Sequence, residues 1–112
     1  MELNVYQDAA KTFAIYPKNN AQLYVLTGLA AEAGEVMGKL AKALRGDLKT
    51  NAIWQDERFR ASLTQELGDC LWFLAMSAEE LDLDLNDIAM ANLMKLKSRQ
   101  ERNVIAGDGD NR

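Results

Sequence analysis

The sequence predicts an all-α protein, and three observations carry that prediction. Apolar residues recur every three or four positions over four separate stretches, which is helical rather than strand spacing. There is one proline, Pro17, so little interrupts those stretches. The β-branched residues that favour strands are sparse. With 112 residues and 48% apolar content, the chain has the size and composition of one soluble domain. A helical bundle over residues 1–105 is expected, followed by a disordered tail at 106–112.

The first helix is expected from about Leu3 to Ile15, stopped by Pro17. The second begins near Asn19 or Asn20, either of which can cap it, and continues to Leu44. Its apolar set is Leu26, Leu29, Ala30, Ala33, Met37, Leu40, Ala41 and Leu44, and Arg45-Gly46-Asp47 ends it. A polar loop runs to about Asn51, and Ile53-Trp54 forms an apolar island before the third helix. That helix spans Asp56 to Leu81, and the fourth spans Leu85 to Arg102, with Asp84 as its N-cap and Asp87 in its first turn. Neither a repeat nor a second composition block is present, and the closing Gly107-Asp108-Gly109-Asp110-Asn111-Arg112 has nothing to bury.

Charge and residue counts exclude several chemistries. Thirteen basic against 17 acidic side chains give a net charge of −4, which disfavours a broad nucleic-acid-binding surface. No histidine is present and Cys70 is the sole cysteine. Ser-His-Asp and Cys-His catalysis, His-ligated zinc or haem, and an intrachain disulfide are therefore excluded. The lack of His also removes a di-iron bundle site of the Glu-x-x-His kind. The longest apolar run, Cys70 to Met76, is far short of the roughly 20 residues that cross a bilayer. With no signal-peptide core at the N-terminus and one thiol, a cytoplasmic, non-membrane protein is expected.

Two pairs of acids sit where a helix should be apolar. With Glu66 at the zero of the third helix, Phe59, Cys70, Leu63 and Phe73 all fall within about 60° of it, and Asp69 lies at the edge of that face. On the second helix Glu32 borders the stripe of Val25, Leu29 and Val36, with Glu35 one i+3 step away. An unpaired ionised carboxylate on such a face costs several kcal/mol unless it is paired, neutralised or bound to metal. Four converging carboxylates make an all-oxygen cage that suits a hard divalent cation, above all Mg²⁺. The competing explanation is buried salt bridges from Glu32 and Glu66, for instance to Lys39 or Lys95. On the fourth helix Asn92, Lys95, Arg99 and Arg102 share one polar, basic face. Such a face receives phosphate or is simply solvated, and the solvated reading suits Arg102.

Taken together, Gly28-Leu-Ala-Ala-Glu-Ala-Gly-Glu-Val, Glu66-Leu-Gly-Asp69 and Asn92-Leu-Met-Lys95-Leu-Lys-Ser-Arg99 resemble the MazG-type nucleotide pyrophosphohydrolases of the all-α NTP pyrophosphatase superfamily. The resemblance covers roughly residues 20 to 103. Ala31 stands where the family pattern often carries the first of two adjacent acids, and an enlarged loop is expected around Leu48 to Glu57. The resemblance implies a four-helix-bundle-like protomer completed by oligomerisation, as a homodimer or dimer of dimers. It implies hydrolysis of a nucleoside triphosphate between the α and β phosphorus, giving monophosphate and pyrophosphate in nucleotide-pool house-cleaning. Glu32, Glu35, Glu66 and Asp69 would hold Mg²⁺, with Mn²⁺ as a substitute. Glu35 would orient or deprotonate the attacking water, Lys95 and Arg99 would take the pyrophosphate, and Asn92 would contact sugar or phosphate. Trp54 and Phe73 are candidates to stack on the base, against ordinary core or interface packing. The all-round apolar run Cys70–Met76 suggests that Leu71, Trp72 and Met76 face another protomer. Phosphoribosyl-ATP hydrolysis and a non-catalytic helical oligomerisation module are the alternative functions.

Overall fold

A computed structural model describes residues 1–46 and 52–112. Helix α1 spans Leu3–Lys11, α2 Ala21–Arg45, α3 Glu57–Glu80 and α4 Leu85–Glu101, with a short 3-10 turn at Ile53–Gln55 before α3. No strand occurs among the described residues. The expected loop at Leu48–Asn51 lies outside the described residues. Among the described residues no helix is long and apolar enough to cross a membrane.

Helix ends follow local chemistry with informative exceptions. Asp56 takes extended backbone angles, and its side chain accepts from the Phe59 N–H at 2.7 Å, so it caps α3 rather than joining it. Helix α1 stops at Lys11, four residues before the expected Ile15. Its last turn closes through tight i→i−3 bonds from Thr12, Phe13 and Ala14, and the chain then runs to Pro17 with Phe13 and Ile15 exposed. The apolar pattern there outlasts the helix, whose end closes in i→i−3 bonds several residues before Pro17. Asn20 occupies the N-cap position of α2 in the left-handed region (φ 58°) and makes no side-chain cap bond. Asp84 likewise makes none at α4.

The N-terminus of α4 is instead capped from α1. Gln7 Oε1 accepts from the Leu85 N–H at 2.8 Å, and Asn4 Oδ1 accepts from the Asn86 N–H at 3.0 Å. The Gln7 amide also donates to the Leu83 carbonyl at 2.9 Å and to Glu79 at 3.2 Å. Gln7 is buried, and its polar atoms are all used.

The core lies where α1 crosses the paired α2 and α3, around Ala10, Tyr16, Val25, Ala75, Met76 and Leu85. Val25 and Met76 are fully buried, each contributing about 1.5–3 kcal/mol of transfer free energy. Met76 and Trp72 were expected at a subunit boundary, but α1 covers them. Met76 is enclosed, and the Trp72 indole donates to the Ala10 carbonyl at 3.1 Å. Leu71 stays partly exposed, as does Leu74.

Helix α4 packs on α1 and makes little contact with α2 and α3. The radius of gyration is 17.2 Å, against about 13 Å for a compact chain of this length. Met94 is 67% exposed and Leu93 60%, so α4 leaves an apolar face open. The segment expected to be a disordered tail turns back on the end of α4. Arg112 donates to the carbonyls of Val104 and Ile105, and Arg102 donates to the Arg112 carbonyl at 2.7 Å. The tail has little apolar surface to bury, but arginines on and beyond α4 give its backbone carbonyls charged partners.

Candidate metal and nucleotide site

The long contact between α2 and α3 sets Glu32 opposite Glu66 and Asp69. One oxygen from each of the three carboxylates lies within 4.8 Å of the others. The Glu66 side chain is only 14% exposed, and it pairs with Lys39 at 3.2 Å. The salt-bridge explanation is thus realised for Glu66 with Lys39, whereas Lys95 pairs elsewhere. One ammonium faces three carboxylates, so the group keeps excess negative charge. Burial first, then the charges of Asp69, Glu66 and Glu35, push the Glu32 carboxyl above its ordinary value. Burial first, then the charges of Glu32, Asp69 and Glu66, raise the Cys70 thiol, which makes it a poor nucleophile.

Glu35, expected as a fourth ligand and as the base, lies outside this group of three. An i+3 step turns it about 60° from Glu32 and leaves it exposed, close enough to act on Glu32 only through its charge. The donor set is oxygen alone, and its charge is under-compensated by protein. Both features fit a hard divalent cation.

Phe73 and Trp54 fall in different places. Phe73 lines a cavity of about 440 Å³ that also includes Glu32, Tyr24 and Gly28. Trp54 packs edge-on against Phe59 at 5.7 Å and borders a separate cavity of about 250 Å³ with Arg60 and Leu63. Asn92 and Lys95 line a third, of about 350 Å³, on α4.

The basic face of α4 is not simply solvated. Arg99 is only 5% exposed, and its Nη2 donates to the Asp110 side chain at 3.0 Å and to the Asp110 carbonyl at 2.9 Å. Lys95 reaches the same Asp110 oxygen at 3.4 Å. The two cations hold Asp110 well below the usual carboxylate range. The Arg99 Nε is buried without a partner. An acid in the tail therefore occupies the positions where the sequence places an anionic ligand. A fold-back by a glycine-rich, polar segment has no periodic signature, which is why the pattern of apolar residues missed it.

Comparison with known proteins bears on the same elements. The family model for the MazG nucleotide pyrophosphohydrolase domain matches residues 21–104. The chain belongs to this family. The MazG match begins at the first residue of α2 and ends just past α4, so it contains all three clustered carboxylates and the basic residues of α4. Membership brings pyrophosphohydrolase activity, hydrolysis at a phosphoric anhydride, and a general dependence on divalent metal for which the acidic group is the matching feature. The Gene 37 protein of Mycobacterium phage L5 is similar to this chain, 42% identical over 118 aligned positions that cover all of both chains. No solved structure matches significantly.

Proposed function

We propose that this MazG protein hydrolyses (deoxy)nucleoside triphosphates at the α–β bond, with Mg²⁺ as cofactor and Mn²⁺ as substitute, in cytoplasmic nucleotide-pool house-cleaning. The observation that carries this reading is the convergence of Glu32, Glu66 and Asp69 between α2 and α3, inside the matched domain. These three residues would hold the metal, which when bound neutralises phosphate charge and polarises the α-phosphorus. Lys39 pairs with Glu66 in the free protein and would have to release it for that carboxylate to hold the metal. Glu35, on the solvent side of the group, accepts a proton from the attacking water or orients it.

Asn92, Lys95 and Arg99 receive the sugar and the departing pyrophosphate. Because α4 makes little contact with α2 and α3, these side chains would complete the site from a second protomer. The exposed Leu93 and Met94 support that arrangement, a homodimer or dimer of dimers with the site at its boundary. Phe73 contributes an aromatic wall beside Glu32, and Trp54 a more distant one.

Pyrophosphate release from a panel of canonical and modified NTPs, dNTPs and phosphoribosyl-ATP, with Mg²⁺, tests the activity. Wild type should act on nucleoside triphosphates and Glu66→Gln should not. A wild type that releases pyrophosphate from none of them removes the reading, and release from phosphoribosyl-ATP alone replaces it. Light scattering should give a mass at least twice that of the 12.5 kDa chain.

A further inference from the structure

Two contacts fix how α2 and α3 lie together. The Phe73 ring rests on the α2 backbone at Gly28, where a Cβ would collide with it. Further along α2, Lys39 pairs at 3.2 Å with Glu66, which lies earlier on α3. The two helices are therefore antiparallel, and Lys39 closes the end of the acidic group that lies away from Phe73. Lys39 follows Glu32 by about 10 Å along the helix axis and about 20° around it, so both face α3. Helical side chains lean towards the N-terminus of their own helix, which aims the Lys39 ammonium back at the group.

This pair differs from the other lysine pairs among the described residues. The Lys39 side chain is 30% exposed, less than that of Lys11, Lys18, Lys95 or Lys97, and Glu66 is more enclosed still. Lys97 and Glu101, by contrast, meet at 4.0 Å on an open helix surface. Lys39 also faces a group and not a single acid, because oxygens of Glu32 and Asp69 lie within 4.8 Å of one on Glu66. An exposed pair contributes little, whereas an enclosed carboxylate that loses its cation is left with uncompensated charge. Here that charge would add to the repulsion among three carboxylates.

We infer that Lys39 is a positioning residue that competes with the metal: its ammonium holds Glu66 in the group while the ion is absent, and must give Glu66 up for the ion to bind. The inference rests on the proposed role of Glu32, Glu66 and Asp69 as ligands. Two consequences follow from one contact. The free protein keeps its carboxylates assembled, so little ordering is left for the ion to impose. Each ion must in turn break the Lys39 pair, so the group takes a divalent cation less tightly than its three carboxylates alone would. Linkage ties the two together: what Lys39 adds to the stability of the free protein, it removes from the affinity for metal.

The test measures Mg²⁺ and Mn²⁺ binding by calorimetry without nucleotide, and thermal melting with and without each ion. Lys39→Met keeps the aliphatic stem and removes the charge. It should bind Mg²⁺ about tenfold more tightly than wild type, melt lower than wild type without metal, and match it at saturating metal. Lys39→Arg offers Glu66 a two-pronged partner and should bind Mg²⁺ about threefold more weakly. Lys42→Met removes an equal charge from an exposed position on α2 and should change affinity less than about twofold. A folded Lys39→Met whose metal affinity is unchanged, with the same melting deficit in both states, makes the pair an ordinary tie and overturns the inference. Weaker metal binding by that variant overturns it as well. If Lys39→Met does not fold, Lys39→Arg decides alone, and unchanged or tighter binding there is fatal to the inference. Metal binding that Glu66→Gln abolishes and Lys39→Met tightens, in a wild type that releases no pyrophosphate, would keep the role of Lys39 and remove the hydrolytic reading.

Discussion

Helix α3 carries two acidic pairs whose surroundings are opposite. At its C-terminal end, Glu79 pairs with Lys11 and accepts from Gln7, while Glu80 accepts from the Tyr16 hydroxyl at 2.5 Å and from Lys18 at 3.4 Å. Three turns earlier, Glu66 and Asp69 share a single ammonium with Glu32. The first pair fastens α1 and the turn before α2 to α3. The second is held close by backbone packing elsewhere and tolerates repulsion. The same residue types on one helix thus act as ties or as a ligand cage according to the number of donors facing them.

The largest test of this contrast is Glu66→Gln. Activity should fall at least about a hundredfold, while thermal stability without metal stays equal or rises, because a repulsive charge has been removed from the group of three. A stability loss as large as that of a core substitution would place Glu66 among the ties instead. At the other end, Gln7→Ala should cost about 1–3 kcal/mol, measured by urea unfolding, since it strips the Leu85 N–H and Leu83 carbonyl of buried partners. The activity per folded molecule should remain.

A smaller effect is expected at Asp110. Asp110→Ala frees Lys95 and Arg99 from their present anion, so KM for triphosphate should fall about two- to fivefold at low salt, with the difference shrinking as salt rises. The smallest is the pH response of Glu79. Its carboxyl is lowered from an ordinary value of 4.5, chiefly by the hydrogen bond with Lys11 and also by Gln7. Its contribution to stability is therefore present above about pH 4.5 and lost as the pH falls through the lowered value. Wild type should melt a few degrees above Glu79→Gln at neutral pH, and the gap should close on acidification.

Helices α2, α3 and α4 were legible in the sequence to within about two residues, because apolar period and breakers agree there. The inward aim of Glu66 and Glu32 was legible for the same reason, since helical rotation alone sets it. Phe13 and Ile15 misled because they continue an apolar period beyond the last helical turn and end exposed. The covering of Met76, the capping of α4 by Asn4 and Gln7, and the clasp of Asp110 on Arg99 were not legible. Each joins residues whose partners are fixed by tertiary packing and not by local spacing. The departure of Glu35 from the other three acids has a subtler cause. Its i+3 step turns it about 60° from Glu32 on the side away from Val25, Leu29 and Val36, which leaves it exposed.

The caps supplied by Asn4 and Gln7 bear on where this protein can be cut. The recognisable motif begins at residue 21, yet the residues that shield Trp72 and Met76 and close the first turn of α4 lie before it. A fragment of residues 21–104 would keep every proposed ligand and lose the lid of its own core. The matched segment is thus smaller than the unit that encloses this core, because α1 supplies part of its cover.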